Sequence, residues 1–488
     1  MDATQTCDTL IKGGTVVTMD GDKRVFLGGY VAIKDGKIVG AGKESECNFR
    51  ATGETLSGSQ YIVLPGLVNT HAHLVQGCIR SMADGTTFEE RLFGFYYPMT
   101  SACDEERSYV SSLPPILELA KNGVTTSVDD HFTNRHKRSA DGVVRAALDA
   151  GIRLRMARLI INDPTTVPED CREDVDEGLK HVERMLNEYA EEPTVTMATG
   201  PIGITYVREG ELKPIWEFTR DHGLQFDIHA PAFMDRKYLA SRGWDGGSFH
   251  YLDELGILGP NVISAHSQVL HEGEYDLIAS RGATIALVPD MEAFLGLVEF
   301  DTRNFLDRGV AVGVGLDGCV VSYHHNLWYS ARQMIQNQRM HDKHELNMHG
   351  QRATEDIFGN AELALEVATI GGARALGMDD RIGSLEVGKE ADIAVLDTTR
   401  ALHLSSPAAL IASLVYGGGN NTEFVKHVYV GGRKIVSDGE PVKVDVPTAI
   451  SKANALQAEL LEETGATRFV RKNTRWSWIE DTATLARA

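Results

Sequence analysis

No run of about 18 uninterrupted apolar residues occurs anywhere in the chain, so no membrane-spanning helix is expected. The opening Met1-Asp2-Ala3-Thr4-Gln5 has no basic stretch leading into an apolar one, which predicts no secretory leader and a cytoplasmic protein. Positive charge is scarce. The 48 Lys and Arg residues face 69 Asp and Glu, a net charge of −21, which leaves no basic footprint for nucleic acid or an anionic membrane surface. A small substrate is not excluded by that balance, because it meets only the field inside its pocket. Cysteine is sparse and scattered: Cys7, Cys47, Cys78, Cys103, Cys171 and Cys319 include no C-x-x-C pair. In a chain of 488 residues this pattern reads as reduced thiols and argues against both a disulfide frame and a cysteine zinc site. Low-complexity tracts and short-period repeats are missing as well.

What is present is an ordinary apolar complement, 42% of residues, enough for a large core. The length predicts one large α/β domain with a smaller companion. Both ends are β-rich. Thr9–Thr18 and the Val31–Gly42 hairpin, with Asp35-Gly36 at its turn, are matched near the other end by Ala391–Asp397 and Val425–Val436. These segments predict a small β-sandwich domain built from residues 1–62 and 381–445, with a helical C-terminal extension over 446–488. Residues 63–380 alternate short apolar runs with helix-length stretches such as 139–150, 173–190 and 325–341. The run ending in Asn69-Thr70-His71-Ala72-His73 is the first of eight candidate strands. The others are Gly123–Asp129, Arg153–Arg158, Thr194–Gly200, Leu224–His229, Val262–His266, Thr284–Val288 and Ala311–Asp317. Eight β-α units predict a parallel (β/α)8 barrel of the TIM type.

In such a barrel the chemistry sits where the strands end. Side chains two apart on a strand share a face, so His71 and His73 project together. Four of the eight ends carry a titratable group: His71 with His73, His229, His266 and Asp317. Three imidazoles and one carboxylate suit a single divalent cation, Zn²⁺ foremost and Fe²⁺ the alternative, with a position left for water. The cation lowers the pKa of that water toward neutrality. Asp317 is placed to take its proton, and His266, beside the cation, to polarise the substrate's developing oxyanion. No lysine lies in Thr194–Gly200 where a carbamylated bridging ligand would be sought, so one metal is expected and not two.

The segments Pro65–His73, the lone His229, Ala265-His266-Ser267 and Gly315-Leu316-Asp317-Gly318 resemble the metal-ligand signature of the amidohydrolase superfamily. Leu117–Thr126 and Ile382–Ile393 are similar to the same branch, which holds cytosine, guanine and adenosylhomocysteine deaminases and triazine hydrolases. The likeness runs from about residue 8 to 440. It implies a metal-bearing barrel that hydrolyses a small molecule, usually at a ring C–N bond, in a dimer or larger homo-oligomer. By that resemblance His71, His73, His229 and Asp317 are ligands and His266 is the polarising residue.

One departure bears on the reaction. The deaminases of this branch carry His-x-x-Glu after the fifth strand, whereas here the stretch reads His229-Ala230-Pro231-Ala232. Deamination of a planar nitrogenous compound therefore stands level with hydrolysis of an amide, a urea or a ring substituent bonded through chlorine or sulfur. A scaffold without chemistry and a phosphotriesterase-like or decarboxylase role are the remaining readings. Glu292 and Asp290, or Asp130 and His131, are stand-in acids, each more readily explained as structural. His324 and His325 are expected to line the substrate pocket, with a solvated helix start as the alternative, and Phe93, Phe95, Tyr96, Tyr97, Phe294 and Trp328 to stack on a planar substrate, with plain packing as the alternative.

Overall fold

A computed structural model describes residues 4–82, 84–232, 234–267, 270–297, 302–349, 357–401, 407–418 and 423–467. The N-terminal strands are β1 (Gln5–Val17), β2 (Val25–Lys34), β3 (Lys37–Lys43), β4 (Phe49–Ser57) and β5 (Tyr61–Pro65). Near the other end lie β14 (Ile393–Asp397), β15 (Val425–Val430), β16 (Arg433–Ser437) and β17 (Glu440–Pro441). These nine form one continuous sheet in the order β17-β16-β15-β14-β5-β1-β2-β3, with β4 paired to β1. The two chain ends meet where β5 runs antiparallel to β14, Val63 opposite Val395. Ile11, Val31, Ile33, Val63, Ile393 and Tyr429 from both ends share one apolar cluster on this sheet. The β2–β3 turn has positive φ at both Asp35 (51°) and Gly36 (77°), the conformation that fits the twist of a tight hairpin.

The barrel strands are β6 (Leu67–Asn69), β7 (Val124–His131), β8 (Arg153–Ile160), β9 (Val195–Pro201) and β10 (Gln225–His229). They continue with β11 (Val262–Ala265), β12 (Thr284–Leu287) and β13 (Val312–Val314), and the ring closes where β13 pairs in parallel with β6. All eight coincide with the runs expected from sequence. The helices expected over 139–150, 173–190 and 325–341 are present as Ser139–Ala150, Val175–Glu188 and Leu327–His349.

The changeover between sheet and barrel differs from the expected 62/63 boundary. Tyr61–Pro65 is wholly in the small sheet, and the chain crosses at Gly66. The crossing is tight, because a Cβ at Gly66 would come within 2.2 Å of Thr125 Oγ1. Arg153 at the start of β8 ties the two units together by donating to Asp392 Oδ1 at 3.2 Å and Oδ2 at 3.3 Å. The helix Val446–Thr464 packs Leu456 and Leu460 inward and donates from Gln457 Nε2 to Cys78 O at 3.0 Å. It thereby braces the turn Leu74–Ile79 that follows His73. The rest of the expected extension, from 468 on, lies outside the described residues. Among the described residues no helix is long and apolar enough to cross a membrane.

Candidate active site

The five residues singled out at the strand ends come together at one mouth of the barrel. His71 and His73 follow β6, His229 closes β10, His266 follows β11, and Asp317 follows β13. The ring centroid of His71 is 4.9 Å from His73, 4.7 Å from His229 and 5.1 Å from His266. His73 Nε2 lies 3.6 Å from Asp317 Oδ1. Ligand atoms of His71, His229 and His266, and of His71, His73 and Asp317, fall within 4.8 Å of one another, a spacing that admits one ion.

The backbone explains this precision. Leu316 and Asp317 donate their N–H groups to His71 O at 2.8 and 3.2 Å, which stitches the end of β13 to the histidine pair. Only glycine fits at 315, where a Cβ would stand 2.6 Å from His71 Cβ. His266, Ser267 and Asp317 all have positive φ, at 69°, 53° and 60°. Left-handed backbone at non-glycine residues is costly and concentrates at functional sites. Here it turns each strand end sharply enough to aim its side chain across the mouth.

Asp130 on β7 holds both rings of the pair. Its Oδ2 lies 2.7 Å from His71 Nδ1, and its carbonyl oxygen lies 2.6 Å from His73 Nδ1. With each Nδ1 carrying its proton toward Asp130, each Nε2 is a free lone pair facing the centre. Burial and the neighbouring Asp130 hold Asp227 well above the carboxylate range, and burial raises Asp130 itself to about 8.

Burial keeps His71 and His73 below the usual histidine range and holds His229 well below it. Burial also lowers His266 to about 3. Burial thus pushes each of the four imidazoles toward the neutral form, the form that binds metal. Burial raises Asp317, but its polar surroundings, including the Gly318 N–H that donates to Oδ1 at 2.6 Å, hold the carboxyl below its usual value and so ionised. His71 Nε2, both nitrogens of His229 and His266 Nδ1 are buried with no hydrogen-bond partner among the described residues. Buried polar atoms are rarely left so, and with one nitrogen counted per ring they supply three imidazole donors to a single centre.

Above the cluster opens a cavity of about 880 Å³ including its solvent-facing mouth. Its floor is His73, His229, His266 and Asp317; its walls include Phe88, Leu92, Phe132, Ile202, Met234 and Met291. Tyr96 lines it and stacks on Phe132, with centroids 5.4 Å apart. The polar exceptions on the walls are Arg91 and the phenols of Tyr96 and Tyr206.

Of the residues expected to contact substrate, Tyr96 lines this cavity, while His324, His325, Trp328 and Phe294 do not. Trp328 is buried against Phe424 and donates from Nε1 to Asn122 O at 2.9 Å. His325 is fully buried, its Nδ1 3.3 Å from Cys319 Sγ. His324 turns to Asp290, 3.4 Å away, and Phe294 packs on Tyr323 at the surface. Each satisfies a packing or hydrogen-bond demand that a loop sequence does not advertise. The stand-in acids Glu292, Asp290, Asp130 and His131 are likewise buried and absent from the cavity wall, whereas Ala232 lines it. Arg91 and Tyr206 were missed. The available signal for Arg91 was a basic residue at the head of the apolar stretch Leu92–Tyr97, behind the Thr87–Glu90 helix cap.

The model of the amidohydrolase family matches residues 62–435. The chain belongs to the amidohydrolase family. This amidohydrolase is 28% identical over 447 residues to a 5-methylthioadenosine/S-adenosylhomocysteine deaminase of Syntrophobacter fumaroxidans, covering 91% of this chain and 96% of that one. Its fold is similar to an adenosine deaminase from Xanthomonas campestris with bound zinc, at TM-score 0.82 and 24% identity over 94% of this chain and 99% of the other. It is also similar to an atrazine chlorohydrolase variant from Arthrobacter aurescens complexed with zinc and atraton. That likeness has TM-score 0.79 and 25% identity over 92% of this amidohydrolase and all of the other chain.

Proposed function

We propose that this amidohydrolase is a mononuclear zinc enzyme that removes ammonia or an amine from an sp² carbon of a small planar nitrogenous compound. The observation that carries the reading is the set of unpartnered imidazole nitrogens, with Asp317 among them, at the floor of an apolar cavity. The deaminase and chlorohydrolase names of its relatives support the same class of reaction.

His71, His73, His229 and Asp317 hold the cation. When bound, it acidifies a water and withdraws electrons from the carbon under attack. Asp317, ionised and at the cavity floor, takes the water's proton and returns it to the departing nitrogen. His266 stands beside the reacting carbon and hydrogen-bonds the oxygen on which negative charge develops. The walls of Phe132, Leu92 and Met291 exclude bulk water and favour a flat ring over an extended chain.

A second reading is favoured by one residue. Ala232 on the wall can deliver no proton to a ring nitrogen, and Asp317 alone suffices for an amide, a urea or a ring carbon bearing chloride or sulfur. Zinc content and a screen of purine, pyrimidine, pterin, triazine, hydantoin and aryl-urea compounds, with and without added Zn²⁺, separate the two. Ammonia release from an aminoheterocycle establishes the first reading, and zinc-loaded protein that releases only chloride, thiol or amide products establishes the second. Protein that purifies without stoichiometric zinc and turns over none of them refutes both.

A further inference from the structure

Four arginines are buried among the described residues, and three of them donate to carboxylates, carbonyls or an amide within the chain. Arg153 pairs with Asp392 and Glu390, and Arg158 grips both oxygens of Glu173 at 2.8 Å. Arg155 donates to Leu376 O at 2.8 Å and to Gln225. Arg91 is the exception. It is 5% exposed, no carboxylate among the described residues pairs with it, and its buried Nη1 has no hydrogen-bond partner. Its guanidinium carbon sits 5.6 Å from the Phe88 ring centroid, and both residues line the active-site cavity.

A cation withdrawn from water without a partner is expensive, and chains keep one where a ligand supplies the counter-charge. The protein groups whose charge bears on Arg91 are Asp317 and the phenols of Tyr96 and Tyr323. Asp317 is committed to the metal in the loaded site, and the phenols are neutral at ordinary pH. The metal-loaded cavity therefore presents two positive centres, the metal at the floor and Arg91 on walls whose other polar groups are the neutral phenols of Tyr96 and Tyr206. A phosphate would need several donors; a single planar guanidinium matches a carboxylate.

We propose that Arg91 is a specificity-determining residue that binds a carboxylate on the substrate. The substrate is then a planar nitrogenous ring acid, its reacting carbon over the metal and its carboxylate against the wall. This rests on the hydrolase reading of the same cavity but makes a separate claim about charge.

The test is calorimetric titration of zinc-loaded full-length protein with isonicotinate and with isonicotinamide, equal in size and differing in charge. The acid is expected to bind at least about tenfold more tightly, the scale of one charge-assisted contact. Arg91→Met should bring the two within about twofold, and Arg91→Lys should fall between. Arg91→Met should also melt at or above the wild-type temperature without ligand, because it removes an unanswered buried charge. Equal binding of acid and amide by the wild type, binding of neither, or a preference that survives in Arg91→Met overturns the proposal. A melting temperature several degrees lower in Arg91→Met does so too, since it would mean that the protein itself satisfies the guanidinium. Metal content read on the same samples keeps the two claims apart: absent zinc defeats the hydrolase reading, while stoichiometric zinc without acid preference defeats only this one.

Discussion

His71 Nδ1 lies 2.7 Å from Asp130 Oδ2, and the same aspartate receives His73 through its backbone carbonyl at 2.6 Å. One residue on β7 thus sets the tautomer and tilt of both rings that follow β6. Groups behind a metal ligand in this way typically tune affinity about 10- to 100-fold. Asp130→Asn keeps the carbonyl contact to His73 but replaces the carboxyl facing His71, which burial raises to about 8, with an amide that does not titrate. Zinc affinity, read by competition with a chelating dye, should fall within that range. An unchanged affinity would mean that packing alone orients His71.

His229 has both ring nitrogens buried without a partner, so its energetic role lies with the cation. His229→Ala should purify with well under stoichiometric zinc and show no measurable turnover. Because a ligand that binds only the folded state raises its stability, wild-type protein stripped by a chelator should melt below the zinc-loaded form. His229→Ala should melt with the stripped protein and gain nothing from added zinc. Full activity in metal-free His229→Ala would refute the assignment.

The eight barrel strands were legible because each is a short apolar run between polar segments, and the polar residues that end them are chemically distinctive. His71 and His73 could be placed on one face from their spacing alone. The crossing at Gly66 was not legible, since Val63–Val68 reads as one apolar run while the backbone changes sheets within it. Trp328 and His325 misled for a related reason. An aromatic residue after a barrel strand fits a substrate wall or the core equally well, and the choice depends on distant partners, Asn122 for Trp328 and Cys319 for His325. Arg91 was hidden in the opposite way: a basic residue at the end of a four-residue helix looks solvated until the cavity closes around it.

Asp235 anchors the loop behind the cavity, its Oδ2 accepting from Ala232 N at 2.9 Å and Ser248 Oγ at 3.0 Å while Oδ1 has no partner. Burial pushes its pKa up to about 7. Between the ordinary carboxylate value and about pH 7 the folded protein holds a proton that the unfolded chain has released. Stability from this group is therefore full at low pH and is lost as pH rises through that window, on the order of 4 kcal/mol at about 1.4 kcal/mol per unit. Asp235→Asn removes the titration and keeps the acceptor. The melting temperature of Asp235→Asn relative to wild type should climb from pH 4 to pH 8 and then level off. A difference that stays flat across the range would place the ionised carboxylate at no disadvantage in the fold.

Ala232 lines the cavity three residues beyond His229, and its backbone N–H is already fixed by Asp235. A longer acidic side chain there projects from a position on the cavity wall whose backbone N–H is anchored. If proton delivery to a ring nitrogen limits deamination, Ala232→Glu should raise ammonia release from aminopyrimidines and aminopurines. The size of the gain is that of a positioned general acid, about 10²-fold at its lower bound. The rise should appear in kcat more than in KM, because the added carboxyl acts on the transition state and not on the neutral ring as it first binds. It should also fade above the pKa of the new carboxyl, giving an alkaline limb that the wild type lacks. Unchanged ammonia release in a variant with native circular dichroism and full zinc would show that Asp317 already delivers every proton the reaction needs. The amide, urea and ring-substituent chemistries would then become the stronger candidates for the natural reaction.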